Sequence, residues 1–306
     1  MKILLTGATG YIGRRLKERL LKDKNLQIRL FVRDERKFLD KHRDRVEIFE
    51  GSTFDKESLR EALEDIDVTY YLIHSMGTKG DFRDLDHLSA KNFLDACIDA
   101  NVQRIIYLGG LGKKDTASKH LLSRIETGEI LSSRPESIQT IWFRAGIIIG
   151  SGSASFEIIR HLVHKLPVMT TPRWVHTRTQ PIGISDVLEY LMQAKDLDTN
   201  KNLVVDIGSD QMSFKDMLIR ASKVMGLRRL LISVPFLTPR LSSYWLILIT
   251  PVSFRIAKAL VEGLKSETVI QNDHAKTYFP QISPLSYEDA IKIALQEIGK
   301  KRLVNR

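Results

Sequence analysis

Three glycines, Gly7, Gly10 and Gly13 in "TGATGYIG", carry the first chemistry that the sequence offers. They are spaced G-x-x-G-x-x-G between a short apolar run, "KILLT", and a segment with Ile12, Leu16 and Leu20 at helical spacing. A glycine triad between a strand and a helix is a dinucleotide phosphate turn. Gly7 permits the tight turn, Gly10 lets backbone approach the pyrophosphate, and Gly13 lets the helix pack closely on the strand. The helix start then presents free N–H groups and the positive end of its dipole to the phosphates. The end of the next strand, in "LFVRDERK", bears on which dinucleotide is held. An acidic residue there would bind the adenosine 2′-hydroxyl of NAD. Val32 and Arg33 occupy that place, followed by Arg36 and Lys37. A guanidinium suits the 2′-phosphate of NADP. The expectation is NADP(H) preferred, with NAD(H) possible because Asp34 could also reach a ribose.

A second pair stands in "ASKHLLSRIETG". His120 and Arg124 are four residues apart, which puts both on one face of a helix. A histidine titrates near neutrality and can exchange a proton with a substrate. A neighbouring guanidinium favours its neutral form and can donate to ribose hydroxyls. Ser118 and Ser123 are alternative acids on the same segment.

These residues need a rigid frame. "KILLT", "QIRLFV", "VEIFE", "VTYYLIHS", "RIIYLGG" and "TIWFRAGIII" read as strands, and "LVVDIG" as a later one. "ESLREALED", "LDHLSAKNFLDACIDA" and "SKHLLSRIETGEILSS" read as the helices between them. Such alternation predicts an α/β fold with a Rossmann doubly wound parallel sheet. After residue 150 the pattern becomes irregular and prolines stand at 235, 239 and 251. The expected division is a Rossmann domain over 1–150, with 180–210 returning to the sheet. Residues 151–179 and 211–306 would form a smaller substrate-side lobe and C-terminal tail.

Composition narrows the class. With 43% apolar and 27% charged residues over 306 positions, the chain is that of a folded globular protein. The single cysteine, Cys97, excludes an internal disulfide and reads as a small buried residue in a helix. The net charge of +10 is scattered, apart from the tail "GKKRLVNR". No zinc-ligand spacing or RNA-binding aromatic motif is present, so neither a metal nor a nucleic-acid partner is expected. The apolar stretch "YWLILIT" is too short to span a bilayer. No targeting segment is visible, and the cytoplasm is the expected compartment.

"TGATGYIG", "YYLIHSM", "RIIYLGGLG", "FRAGIIIGSGSASFE" and "LPVMTTPRWV" together resemble the atypical short-chain dehydrogenase/reductases. The nearest group is the NAD(P)H-binding, NmrA-like and epimerase-like bacterial proteins, in which a segment like "LSSYWLILITPVSF" also recurs. The resemblance covers nearly the whole chain. It implies that Thr9, Tyr11 and Ile12 join the glycines at the phosphates, that Arg33 meets the 2′-phosphate, and that Ser52 in "GSTFD" stands beside the adenine in place of an acidic residue. His74 and Ser75 would lie along the cofactor's inner ribose. Members of this family ordinarily use a tyrosine and a lysine four residues apart, with a serine from the fifth strand. Here those places read His120, Arg124 and the glycines Gly109 and Gly110. On the substrate side the resemblance points to Arg144, Arg173, Trp174, His176, Arg178 and Gln180. An ion pair of Arg144 or Arg173 with a carboxylate such as Asp186 is the structural alternative. Leu237, Trp245, Leu246 and Phe254 would line a pocket or fill the lobe's core.

The expected function is an NADP(H)-binding oxidoreductase acting on an unidentified small organic substrate. A noncatalytic NADP(H)-binding redox sensor or assembly protein is the alternative. An epimerase or dehydratase of nucleotide sugars is a third reading, opposed by the missing tyrosine and lysine.

Overall fold

The computed structural model describes residues 1–38, 42–74, 82–234 and 253–304. In chain order the first half runs β1 (Lys2–Thr6), α1 (Tyr11–Leu20), β2 (Gln27–Val32), β3 (Glu47–Glu50), α2 (Lys56–Ala62), β4 (Val68–Tyr71), α3 (Phe82–Asp99), β5 (Arg104–Gly110), α4 (Lys119–Leu131) and β6 (Gln139–Ala145). There follow β7 (Ile148–Ile149), α5 (Ala154–Lys165), β8 (Val168–Thr171), β9 (Arg178–Thr179), β10 (Ile182–Gly183), α6 (Ile184–Ala194) and β11 (Leu203–Ile207). The last described elements are β12 (Met212–Ser213), α7 (Phe214–Val224), β13 (Leu230–Ser233), α8 (Phe254–Gly263), α9 (His274–Tyr278) and α10 (Tyr287–Val304).

Seven strands form one sheet in the order β11-β6-β5-β4-β1-β2-β3, and every pairing in it is parallel. Parallel strands need long crossovers, so helices must cover both faces. Alternation within β1 shows how. Ile3 and Leu5 pack with Leu16 and Leu20 of α1 and Leu188 and Leu191 of α6, while Leu4 packs with Phe93 and Leu94 of α3 and Ile125 of α4. A third apolar cluster joins α5, α7 and α10 through Phe156, Ile159, Met217 and Tyr287. This is the irregular part of the sequence, and it holds a small parallel pair, β8–β13, that the strand signals do not reveal.

Two expected strands end differently. The run "VTYYLIHS" is strand only to Tyr71, so Leu72 to His74 leave the sheet at its C-terminal edge. "TIWFRAGIII" divides into β6 and β7 at Gly146, where a Cβ would stand 2.0 Å from the Gln180 carbonyl oxygen. Cys97 is fully buried, and burial pushes its thiol well above the ordinary value, as expected of an inert core residue. Ser75, Leu237, Trp245 and Leu246 lie outside the described residues.

Arg144 takes a different partner from the one the sequence suggested. Its guanidinium pairs with Asp206, at 2.5 and 2.9 Å, and not with Asp186. The reason is register: Asp206 on β11 lies directly beside Arg144 on β6. Asp206 is fully buried and also accepts from the Gln271 N–H at 2.7 Å. Removing one member of such a pair leaves a buried charge uncompensated. Asp206→Ala should therefore lower stability by about 3–5 kcal/mol, read as a fall in the urea midpoint.

Candidate functional site

The strand order reverses between β1 and β4, since the chain moves outward from β1 through β2 and β3 before returning to β4. In an open parallel sheet this opens a crevice at the C-terminal strand ends. The glycine turn fills one side of it. Gly7 has φ +67°, and a Cβ on it would stand 2.4 Å from the Leu72 carbonyl oxygen. A Cβ on Gly13 would stand 2.2 Å from the Gly7 oxygen. These contacts are backbone against backbone and leave no room for a side chain. Gly10 differs: its nearest neighbour is the Gly7 oxygen at 3.1 Å, so a side chain there would occupy open space above the turn. The Gly10 N–H closes the turn on the Gly7 oxygen at 2.9 Å.

No side chain caps α1, and its first turn holds no acidic residue. The N–H groups that start at Tyr11 and Ile12 are therefore left for an anion. Thr9 is exposed at the tip of the turn. Tyr11 is half-buried beneath the Arg15 guanidinium, 4.6 Å from its ring centre, and burial pushes its phenol up to about 12.

At the end of β2, Arg33 is exposed and makes no hydrogen bond or ion pair among the described residues. Asp34 is engaged locally. Its carboxylate accepts from the Arg36 N–H at 3.1 Å and from Arg36 Nε at 3.0 Å. Gly51 beside it lies against the Phe31 ring, and the Ser52 hydroxyl accepts from the Phe54 N–H at 3.3 Å.

The opposite wall comes from α4. Ser118 caps that helix by accepting from the Leu121 N–H, and His120 and Arg124 follow on one half-buried face. Arg124 Nη2 donates to the Leu108 oxygen at 2.8 Å, and Tyr107 donates to the Arg124 oxygen at 2.8 Å. His120 meets His74, which hangs from the end of β4. His74 Nε2 is 3.0 Å from Nδ1 and 3.1 Å from Nε2 of His120, and His74 Nδ1 is 3.2 Å from Asp86 Oδ2. Ser123 donates to the same Asp86 oxygen at 2.8 Å. Burial, His74 and then Arg124 push the His120 imidazole down to about 3. Burial also holds His74 below its ordinary value, against the opposing pull of Asp86.

Both ring nitrogens of His74 are thus engaged with side chains. Asp86 had no signal in the sequence: it is one acidic residue in a helical pattern, and only the fold reveals that it is 4% exposed. The glycines that stand in place of a serine are also explained. A Cβ on Gly109 would stand 2.4 Å from Trp142 Nε1, and one on Gly110 would stand 2.6 Å from a Leu121 methyl.

One cavity of ≈ 610 Å³ connects these parts. Tyr11 and Ile12 border one end, and Ser118, His120 and Arg124 line its side. Ile158, Leu162, Val168, Leu218 and Leu264 are among the apolar residues that also line it, together with the hydroxyls of Thr170, Thr177, Ser266 and Thr268. Arg178 also reaches it, but pairs with Glu267 at 2.8 Å. Gln180 is structural, bonding the Ser209 oxygen and the Ile270 N–H at 2.9 and 2.7 Å. Arg173 and Trp174 fall in a single helical turn before the exposed His176. Among the described residues no cluster of metal-ligating side chains is present, and no helix is long and apolar enough to cross a membrane.

The geometry at Gly10 gives a clean test. Gly10→Val should still fold, because only the Gly7 oxygen at 3.1 Å crowds the new Cβ, and if the turn holds a dinucleotide's phosphates the variant should lose that binding. Circular dichroism would check the fold, and calorimetric titration with NADPH the binding.

Residues 7–134 match the family model described as NAD(P)H-binding. Over the whole chain the fold is similar to triphenylmethane reductase of Citrobacter sp. complexed with NADP(H). That match has 18% identity, a TM-score of 0.77, and covers 96% of this chain and 100% of that one. It is also similar to a nucleoside-diphosphate-sugar epimerase from Staphylococcus aureus, with 16% identity, a TM-score of 0.75 and coverage of 95% and 99%. A UDP-glucose 4-epimerase from Thermotoga maritima matches at 14% identity and a TM-score of 0.73, covering 98% and 99%. Residues 7–134 thus match an NAD(P)H-binding family model, and over the whole chain the fold is that of the reductase and the two epimerases named above.

Proposed function

We propose that the protein is an NADPH-dependent reductase of a bulky apolar carbonyl compound, with His120 beside the reacting oxygen. The observation that carries this reading is the cavity lined by Tyr11 and Ile12 at the start of α1, by His120 and Arg124, and for the most part by apolar side chains. A site built for a sugar nucleotide would need hydrogen-bond partners there, because unpaired polar groups are costly to bury. Its lining of Ile158, Leu162, Val168 and Leu264 supports an apolar substrate instead. The similar Citrobacter protein is a triphenylmethane reductase, an enzyme that likewise reduces an aromatic compound.

The nicotinamide, when bound, supplies a hydride to the substrate. The chain's own residues hold the dinucleotide, exclude water and manage the proton. Gly7, Gly10 and Gly13 with the first N–H groups of α1 hold the pyrophosphate, with Thr9, Tyr11 and Ile12 beside them. Arg33 holds the 2′-phosphate, a role supported by its exposure and by the engagement of Asp34 with Arg36. Ser52 borders the adenine. Arg124 lends positive charge to the ribose side. His120, neutral at working pH, donates an N–H to the substrate oxygen, as a neutral imidazole can do in a buried site. The domain division expected from the sequence follows the same logic, with the phosphates on the sheet side and the substrate in the smaller lobe.

The second reading, a noncatalytic NADP(H)-binding sensor or assembly protein, is favoured by one observation. Gly109 and Gly110 pack against Trp142 and Leu121, so the fifth strand offers no hydroxyl to a substrate.

Two measurements decide. Wild-type protein should bind NADPH more tightly than NADH. Arg33→Asp should cost NADPH at least about tenfold in affinity, the scale of one charge-assisted hydrogen bond, while sparing NADH. Equal wild-type affinities would remove the NADPH preference. For the chemistry, NADPH oxidation is followed with a panel of quinones and aromatic aldehydes. His120→Ala should lower turnover by roughly 10²–10⁴ with little change in NADPH affinity. Unchanged turnover in this variant would take His120 out of the reaction. Tight NADPH binding without turnover on any substrate would favour the sensor.

A further inference from the structure

Two long stretches of the sequence hold no carboxylate side chain. None stands between Glu157 and Asp186, and none between Asp216 and Glu262. With 37 Asp and Glu among 306 residues, runs of this length ordinarily hold several. The fold brings the two stretches together. β8 belongs to the first and β13 to the second, and they pair as a parallel ribbon apart from the seven-stranded sheet. Leu230 lies beside Val168, and Ile232 beside Thr170.

One face of this ribbon turns inward. Met169 is buried, and with Leu231 it packs in the apolar cluster of the smaller lobe. The other face is exposed: Val168 by 48%, Leu230 by 57% and Ile232 by 44%. A single exposed aliphatic residue means little, but three side by side on paired strands form a patch. Basic side chains stand at its edge. Lys165 precedes Val168 by three residues, Arg228 and Arg229 lead directly into Leu230, and Lys223 lies in the last turn of α7. Because the strands are parallel, both basic leads gather at the same end of the ribbon. Lys165, Lys223 and Arg228 are exposed. Arg229 Nε donates to the Val163 oxygen at 2.5 Å, which ties the start of β13 to α5. The carboxylates that bound the two stretches on their N-terminal sides are engaged locally. Glu157 accepts from Arg160 at 2.7 Å, and Asp216 accepts from the Ser213 hydroxyl at 2.6 Å.

We propose that the outer face of the β8–β13 ribbon docks the protein on an anionic bilayer surface. Aliphatic side chains enter the headgroup region, and adjacent lysines and arginines meet the lipid phosphates. Neither signal alone holds a protein firmly at a membrane, and here both occupy one face. A nucleic acid would use the charge but offers its phosphates to polar donors, with no place for three exposed aliphatic side chains. Docking of this kind needs no spanning helix. The face also borders the cavity, since Val168 and Thr170 line it. A docked molecule would therefore hold its cavity beside the bilayer, where apolar compounds partition. That consequence rests on the reductase reading; the docking itself does not.

The test is flotation of the full chain with two kinds of vesicle, phosphatidylcholine alone and equal parts of phosphatidylcholine and phosphatidylglycerol. The wild type should float with the anionic vesicles and stay behind with the neutral ones. Added salt should release it, as screening shortens the reach of the charges. Lys223→Gln combined with Arg228→Gln should weaken binding by about 25-fold, about fivefold for each charge removed. Leu230→Ser combined with Ile232→Ser should weaken it by at least about tenfold, through the aliphatic surface lost from the interface. These four side chains do not line the cavity, and both variants should melt like the wild type. If one variant melts early, the other still decides. Failure of the wild type to float with anionic vesicles would overturn the proposal, as would equal flotation with neutral ones. So would flotation that Leu230→Ser with Ile232→Ser leaves unchanged. A wild-type dimer that this variant splits would show the face to be a contact between copies instead. Preference for a double-stranded oligonucleotide over the vesicles would assign the charge to nucleic acid and overturn the proposal too. A protein that floats as expected but oxidises NADPH with no carbonyl compound would keep the docking and remove only the reductase reading.

Discussion

The site depends on a contact in which no side chain takes part. The glycine turn presses its backbone against the end of β4 and against the start of α1, and both contacts are closer than a methyl group allows. Everything else is referenced to it. The turn fixes where α1 begins, and so where its free N–H groups aim. It also fixes how Leu72 leaves the sheet, and therefore where His74, two residues later, emerges. The start of α1 and the position of His74 are thus two consequences of one backbone constraint at the place where the sheet reverses its order.

This is why the glycine turn was legible in the sequence. Backbone contacts of this kind demand glycine, and glycines at fixed spacing between an apolar run and a helical pattern are visible without a structure. The parallel sheet was equally legible, because strands covered on both faces are written as short continuous apolar runs. The cluster around His74 and His120 was only half visible. His120 and Arg124 stand on one face by helical spacing alone, but their surroundings come from elsewhere in the chain. Asp86 and Ser123 are 37 residues apart in sequence and share one hydrogen bond. Neither residue type nor spacing announces such a meeting. The same holds for Arg144, whose partner was set by strand register between β6 and β11 and not by proximity in the chain.

The smaller lobe was hardest to read, for a physical reason. Its strands are short, its helices pack on one another through Phe156, Met217 and Tyr287, and its pairings β8–β13 and β9–β12 join distant segments. Local periodicity carries little information where each element is stabilised by remote neighbours.

Arg15 gives the phosphate helix a second attachment. Its guanidinium donates to the Ser151 oxygen at 2.8 Å and to Glu297 at 3.0 Å, so the second turn of α1 is tied both to the segment entering α5 and to α10 near the end of the chain. A ligand that steadies the start of α1 thereby steadies two parts of the smaller lobe through one side chain. Occupancy at the helix start and local opening of the C-terminal helix would then be linked equilibria. In such an arrangement a ligand held there would act as a structural staple: the loaded protein would open less often at its far end, and the empty chain would be the form most exposed to proteolysis there.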